Sequence, residues 1–356
     1  MPAPRPSSRR ADPSPAGPQG PAARSCRGRR CGYDRPGSPY RRWTRRRVSE
    51  SVVVIGNFDG VHLGHRAVLA HARSLEPGLP VIAMTFWPHP LSVVRPGHEP
   101  KLLCDLDERV EMLRAAGADR VEVVAFTKEF SERTPEDFVS SLLLPLSPAR
   151  VVVGENFRFG HFAAGNVDTL RRLGVGRFEV TAIDMVRSPL HSTPLATGDG
   201  MERTSSTRIR AALADGDLVG AEEMLGRRFS FTGTVVRGDQ RGRQLGFPTA
   251  NLQVSDLRAA PADGVYAGWF TRKDRPDEQP MPAAISVGRN PTFDGHELRV
   301  ESYVLDRTDL ELYGVRVRVE FVSRIRGQVK FDGIESLIVQ MNDDVTRVRE
   351  VLGVRS

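Results

Sequence analysis

The spacing of apolar positions divides the chain into two stretches. From residue 51 to about 190, short apolar runs alternate with segments whose apolar positions fall three and four apart. Val52 to Ile55, Val81 to Thr85, Val121 to Ala125, Val151 to Val153 and Phe178 to Ile183 read as strands. Helices are expected between them, near 64 to 75, 106 to 116, 134 to 144 and 166 to 173. Val52 to Ile55 are β-branched and apolar at every position, as suits a central parallel strand covered on both faces. The alternation predicts an α/β fold with a doubly wound parallel sheet, whose ligand crevice lies at the carboxyl ends of its strands. Arg187 to Arg203 is a polar stretch rich in Pro, Gly, Ser and Thr, expected to be a mobile loop.

Ser205 and Ser206 can cap a helix, and residues 207 to 225 have helical spacing with a break near Asp215-Gly216. Beyond Gly226 the pattern changes. Phe229 to Val236, Val265 to Phe270, Ala283 to Val287, Arg299 to Leu305 and Val315 to Phe321 are strand-like and separated by Gly, Pro and Asp. Five or six such strands followed by a helix at about 333 to 349 predict a small β-barrel with a C-terminal helix. The expected division is a tail over 1 to 50, a first domain over 51 to 220 and a second over 226 to 356. There is no internal repeat.

The chain is 356 residues long, enough for two domains with sizeable cores. Its formal charge of +7 is unevenly placed. Residues 1 to 50 contain 13 Arg and no Lys against Asp12, Asp34 and Glu50, so the tail carries +10 and the remainder −3. The basic character therefore belongs to the tail, and a nucleic-acid-binding fold is not implied. The tail holds 9 of the 26 prolines and few aliphatic residues, so it cannot bury enough surface to offset its ordering entropy and is expected to be disordered. It is Arg-rich and poor in acids, as a transit peptide is, but its prolines work against an amphipathic helix. A start codon placed too far upstream accounts for it equally well. Cys26, Cys31 and Cys104 are odd in number and imply neither a disulfide framework nor a zinc set. No apolar run is long enough to span a membrane, and a cytoplasmic location is expected.

The candidate chemistry starts at Gly56-Asn57-Phe58-Asp59-Gly60-Val61-His62-Leu63-Gly64-His65, directly after the first strand. Gly56 and Gly60 allow close approach of the backbone to a ligand, and Gly64 allows the following helix to pack tightly. His62 and His65 are neighbours on the first turn of that helix, where free N–H groups already favour an anion. Two imidazoles there can donate to a polyphosphate and to oxygens that gain charge during transfer. The string resembles the His-x-Gly-His signature of nucleotidylyltransferases. Its Gly-x-Phe-Asp-Gly-Val-His form is similar to the adenylyltransferase half of bacterial bifunctional riboflavin kinase/FAD synthetases, a family with a Rossmann-like nucleotidylyltransferase domain followed by a riboflavin kinase barrel.

Other segments carry the same resemblance. Thr85-Phe86-Trp87-Pro88-His89-Pro90 follows the second strand, and the resemblance places His89 at the border of the nucleotide and flavin sites. Gly154-Glu155-Asn156-Phe157-Arg158-Phe159-Gly160 is similar to a family loop in which Asn156 contacts flavin or nucleotide while the two Phe residues pack. Ser205-Ser206-Thr207-Arg208-Ile209-Arg210 resembles the family's Ser-Ser-Thr-x-Ile-Arg. Ile209 and Leu213 form its buried stripe, which leaves the Ser206 and Thr207 hydroxyls at the helix start and Arg210 free to meet phosphate. The resemblance implies that Gly56, Phe58, Asp59, Gly60 and Gly64 border the same ligands. Adenylyl transfer needs no covalent nucleophile from the protein, so His62, His65, Arg210 and Mg²⁺ are expected to align and neutralise the phosphates.

In the second stretch, Gly246-Phe247-Pro248-Thr249-Ala250-Asn251 presents a hydroxyl and an amide oxygen two residues apart, hence on one side of an extended chain. Hard oxygen ligands suit Mg²⁺. The segment resembles the Pro-Thr-Ala-Asn motif of riboflavin kinases, which implies Thr249 and Asn251 as metal ligands. Arg243 and Gly246 before the motif, and Asn290 in Ser286 to Phe293, are implied nucleotide- or flavin-binding positions. Asp263 to Gly268 is similar to the family as well. Glu301, within Val300-Glu301-Ser302-Tyr303, occupies the family's catalytic glutamate, implying a base that takes the proton of the ribityl 5′-hydroxyl as it attacks the γ-phosphate of ATP. No Walker-type Gly-x-x-x-x-Gly-Lys-Ser/Thr is present. Two features depart from the family: Arg289 stands where a small residue is expected, and 187 to 203 lacks family features.

The resemblance implies an enzyme that converts riboflavin to FMN and FMN to FAD with ATP and Mg²⁺, with no nucleic acid or membrane partner; the oligomeric state is left open. Retention of the kinase activity alone, or a flavin-sensing or nucleic-acid-binding regulator using the tail, are the alternatives.

Overall fold

The protein is described here from a computed structural model, which covers residues 50–183, 204–238, 245–292 and 295–355, the side chains of 290–297 excepted. The expected loop at 187 to 203 and the tail through residue 49 lie outside the described residues.

Five parallel strands form the first sheet: β1 (Ser51–Ile55), β2 (Val81–Trp87), β3 (Arg120–Ala125), β4 (Pro148–Gly154) and β5 (Glu179–Ile183), in the order β3-β2-β1-β4-β5. The order reverses at β1, so the loop that leaves β1 opens at the switch point of the sheet, where ligands of such folds bind. Both faces are apolar because successive side chains point to opposite sides. Val53, Ile82, Met84, Val151 and Val153 pack with Phe138, Leu143 and Leu170. Val52, Val54, Val81, Ala83 and Val152 pack with Leu69, Ala72 and Leu113 on the other side. Leu69 and Ala72 belong to α1 (Leu63–Leu75), and Leu113 to α3 (Leu106–Ala115). Asp105 and Glu108 start α3 with a reciprocal capping box.

One expected helix is broken. Residues 134 to 144 form α5 (Pro135–Phe138), a wide π turn over Val139–Leu143 and a 3₁₀ turn over Leu144–Leu146. Pro145 lacks an N–H and would crowd the carbonyl four residues earlier in a regular helix, so the turns before it change pitch. Single-turn helices α2 (Pro90–Val94) and α4 (Lys128–Ser131) are too short to carry an apolar period and were not expected. The remaining helix of this lobe is α6 (Val167–Gly174).

The second lobe is a closed antiparallel barrel, β10-β7-β6-β11-β8-β9. Its strands are β6 (Ser230–Val236), β7 (Thr249–Gln253), β8 (Gly264–Arg272), β9 (Met281–Thr292), β10 (Gly295–Val304) and β11 (Arg316–Gly327). Phe231, Leu252, Tyr266, Phe270, Ile285, Val300, Val319 and Phe321 share its core. The β9–β10 ribbon is longer than the apolar runs indicate, with Arg289 opposite Leu298 and Asn290 opposite Glu297. Pairing with the partner strand, not an alternating pattern, makes that end extended. The last helix, α9 (Ile334–Leu352), lies against the barrel through Val348, Ala267 and Leu305, and Asp344 accepts from Arg326 at 2.7 Å.

The hairpin α7 (Ser206–Asp215) and α8 (Leu218–Leu225) buries Ile209, Leu213, Leu218, Ala221 and Leu225 in the same cluster as the barrel core, and Leu103 of the sheet lobe joins it. Residues 101–105 lace the lobes together. The Leu102 amide donates to Leu257 O at 2.6 Å, Ala259 donates to Leu102 O at 2.8 Å, and Arg258 pairs with Glu108 at 2.8 Å.

Candidate active sites

The loop after β1 has an unusual backbone. Phe58 (φ 50°), Gly60 (φ 80°) and Val61 (φ 37°) all lie in the left-handed region, which costs a β-branched residue such as Val61 most. Burial holds the loop in this shape: Phe58 and Val61 are in the core, Gly60 N–H donates to Cys104 Sγ at 3.2 Å, and Arg227 donates to Gly60 O at 2.8 Å. A side chain at Gly60 would meet Leu103 Cδ1 at 2.8 Å. Burial pushes the Cys104 thiol up to about 11, so it remains a thiol and acts as a buried support of the loop.

The turn delivers His62 to the N-cap of α1, where its Nδ1 accepts from the His65 amide at 3.3 Å. An accepting Nδ1 requires that the ring proton sit on Nε2. The two imidazoles stack at 3.6 Å between centroids and 16° between planes, and Phe58 meets His65 edge-on. Burial, then the neighbouring His62 and Arg109, hold the His65 pKa well below its usual value. His65 is therefore neutral at pH 7 and can donate from only one nitrogen. A histidine that stays neutral when folded, yet takes a proton near pH 6.5 when unfolded, makes the unfolded state bind more protons below that pH. Stability should therefore fall as pH drops from 6.5 toward the lowered value, by up to about 1.4 kcal/mol per pH unit for each such group. Melting temperatures at pH 7.5 and 5.5 check this: His65→Gln should lose less on acidification than the parent. His89, whose pKa is also lowered, chiefly by burial, adds to the parent's loss.

Three of the expected ligand-bordering residues of this lobe are engaged within the protein. Arg210 is held by protein groups: its Nη2 lies 2.6 Å from Asp59 Oδ2 and its Nε donates to Lys101 O at 2.6 Å. Asp59 is buried. Its carboxylate accepts from Leu103 N at 3.0 Å and Cys104 N at 3.4 Å as well as from Arg210. The Phe58 ring is likewise packed inside, against Gly56 and His65. His89 caps α2, its Nδ1 accepting from Leu91 N at 3.2 Å. Ser206 Oγ donates to Asp59 O at 2.8 Å, which ties the start of α7 to the loop, while Thr207 is exposed. Gly64 is buried in the first turn of α1. Asn156 is exposed on the turn after β4, next to the stacked rings of Phe157 and Phe159.

In the barrel, register brings Glu301 opposite Asn251, with Tyr303 opposite Thr249. Thr249 Oγ1 donates to Glu301 Oε2 at 3.2 Å. A hydroxyl, an amide and a carboxylate thus gather on one face of the β7–β10 pair. These hard donors fit Mg²⁺, which keeps several waters and shares phosphate oxygens; among the described residues no cluster of three His, Cys, Asp or Glu could hold a metal without such help. A cavity of about 720 Å³ adjoins them, lined in part by Gly238, Gly246, Thr249, Asn251, Ser302 and Tyr313. Gly238 was not anticipated: a Cβ there would clash with the Asn251 amide group. Gly238→Ala should displace Asn251 and raise the Mg²⁺ concentration needed for phosphotransfer severalfold, read by metal titration of FMN formation. Arg289 reaches Asp263 at 2.5 Å on the surface, which gives the departure from the expected small residue a place outside the cavity lining. Arg243 lies outside the described residues; Asn290 is in β9, and its side chain is not described.

Family models for FAD synthetase and riboflavin kinase match residues 44–192 and 225–352. The bifunctional riboflavin kinase/FMN adenylyltransferase of Listeria monocytogenes is 37% identical over 299 residues, covering 82% of this chain and 90% of that protein. This chain belongs to that family. The Escherichia coli K12 enzyme of the same name is 35% identical, covering 85% of this chain and 93% of its own length. A Streptococcus pneumoniae crystal structure described as a macrolide-efflux protein superposes with a TM-score of 0.70 at 32% identity, covering 85% of this chain and 94% of that one. Among the described residues of this chain no helix is long and apolar enough to cross a membrane.

Proposed function

We propose that this family member phosphorylates riboflavin to FMN at the barrel and joins FMN to the AMP part of ATP at the sheet lobe, releasing pyrophosphate. The observation that carries this reading is the presence, in one chain, of both family matches and of both convergent side-chain groups. Residues 51–220 and 226–356 are the two catalytic units in this reading, and residues 1–50 take no part in either reaction. The enzyme works in the cytoplasm on ATP, riboflavin and FMN, without nucleic acid or membrane.

At the barrel, Glu301 accepts the proton of the ribityl 5′-hydroxyl as that oxygen attacks the γ-phosphorus of ATP. Thr249 and Asn251 would hold Mg²⁺, which supplies charge neutralisation of the phosphates when bound. Gly246 and Gly238 let the chain approach the nucleotide, with Arg243 and Asn290 contributing binding contacts. At the sheet lobe, a phosphate oxygen of FMN attacks the α-phosphorus and the bond to pyrophosphate breaks. His62 and His65 donate to the oxygens that gain charge, and the amides at the start of α1 add to that field. His89, Asn156, Ser206 and Thr207 border the bound ligands, and Gly56, Gly60 and Gly64 allow their close approach. Arg210 joins the phosphates after leaving Asp59.

Purified protein incubated with riboflavin and MgATP should form FMN first and then FAD, resolved by chromatography. Accumulation of FMN with no FAD, or no product from riboflavin, would remove one half of the reading.

A further inference from the structure

Among the described residues of the sheet lobe, Arg109 is the most fully buried charged side chain. It stands on α3, its side chain is fully buried, and its guanidinium lies beneath the carboxyl end of β2. Nη1 reaches Thr85 Oγ1 and Phe86 O only at 3.4 Å. Nε and Nη2 have no hydrogen-bond partner among the described residues. Nη2 is nonetheless 3.6 Å from Asp59 Oδ1, and the guanidinium carbon lies 5.3 Å from the centre of the Trp87 ring. An arginine cannot shed its charge, so a buried guanidinium held just beyond hydrogen-bond distance of a carboxylate is a costly arrangement that needs a reason.

The reason lies in the other partner of Asp59. Arg210 holds Oδ2 at 2.6 Å and keeps 18% of its side chain exposed, whereas Asp59 keeps 3% and Arg109 none. Of the two cations around one carboxylate, only Arg210 has a route to the crevice. When Arg210 turns outward it would strand a buried negative charge unless a second cation closes on it. Arg109 needs to move less than about 1 Å to reach hydrogen-bond distance.

We propose that Arg109 is a positioning residue for adenylyl transfer: it takes over the Asp59 carboxylate when Arg210 leaves to bind the nucleotide phosphates. The inference rests on the reading that the sheet lobe adenylylates FMN. The exchange leaves a neutral Asp59–Arg109 pair inside and delivers one positive charge to the phosphates. Asp59 keeps its bonds from Leu103 and Cys104, so the loop that carries His62 and His65 stays in place while the charge moves.

The test uses the full chain, with FMN and MgATP as substrates and FAD formation as readout. Arg109→Gln should lower kcat/KM for ATP by 100-fold or more, with much of the change in KM, because Arg210 remains tied to Asp59. Arg109→Lys keeps the charge and should recover the rate to within about fivefold of the parent. Adding Asp59→Asn to Arg109→Gln removes the carboxylate that had to be taken over and restores the parent's net charge at the site. This double variant should regain at least tenfold over Arg109→Gln. A residue needed only for packing would give the opposite result, no recovery with lysine and a further loss with Asp59→Asn. Either outcome overturns the proposal. If Arg109→Gln does not fold, the charge-balanced double variant and Arg109→Lys decide it by the same criteria against the parent: a 100-fold loss in both overturns it. A parent chain that makes no FAD would defeat the activity itself, and the inference with it; an active parent with indifferent Arg109 variants defeats the inference alone.

Discussion

Replacing Glu301 by Gln should lower the rate of FMN formation by roughly 10²–10⁴-fold, the usual range for loss of a general base, while FMN supplied directly is still converted to FAD. The substitution is chosen for what it leaves intact. Glutamine has the size of glutamate, and its amide oxygen can still accept from the Thr249 hydroxyl that now reaches Glu301 at 3.2 Å. The β7–β10 pairing that sets Glu301 beside Asn251 is made by the backbone and is unchanged. What disappears is a group able to hold the proton of the attacking hydroxyl. Thr249→Ala makes a different change, removing an oxygen donor and not the base, so its effect should appear as a higher Mg²⁺ requirement. Riboflavin phosphorylation by Glu301→Gln at the parent rate would show that the proton leaves by another path. Loss of FAD formation from added FMN in a folded chain would show that the two reactions are not performed by separate groups.

The parts of this molecule that were legible in the sequence are those determined by near neighbours. Val52 to Ile55 could only be a strand covered on both sides, and the period-two division of Val52 and Val54 from Val53 between two cores follows from it. His62 and His65 could be placed together because helical spacing brings residues three apart into contact. The supports of the same loop were not legible. Asp59 is held by the amides of Leu103 and Cys104 and by Arg210, and Gly60 by Arg227, all distant in the chain and none marked by any period. The spacing of its own helix gives Arg210 an open face, while the acceptor that ties it down comes from the loop after β1. Arg109 did leave a trace. It lies three residues after Leu106 and four before Leu113, so a charge occupies the apolar stripe of α3, a position where an unpaired arginine is out of place. Gly238 left none, since its neighbour Asn251 is fixed only when the barrel closes.

Changing both His62 and His65 to Ala should reduce FAD formation at least about 10³-fold, because loss of a single positioned donor to a developing charge costs about 10²–10³, and FMN made from riboflavin should accumulate. Geometry makes these rings suited to that task. His62 uses Nδ1 to cap the helix, which directs its proton to Nε2, and the ring of His65 stacks on it at 3.6 Å. Two cations stacked this closely would repel, and burial and the nearby Arg109 hold His65 neutral. In the proposed transfer the pair would supply fixed dipoles and leave net positive charge to Arg210 and Mg²⁺. Alanine at 62 also removes the helix cap, which costs about 1 kcal/mol, so a loss of FAD formation could come from fraying of α1. His62→Asn separates the two effects: asparagine caps as well as any residue but cannot place a donor where Nε2 stood. It should restore the melting temperature without restoring FAD formation. If His62→Asn recovers both, the histidine serves only to start the helix; if the folded double Ala variant makes FAD at the parent rate, neither ring takes part in the transfer.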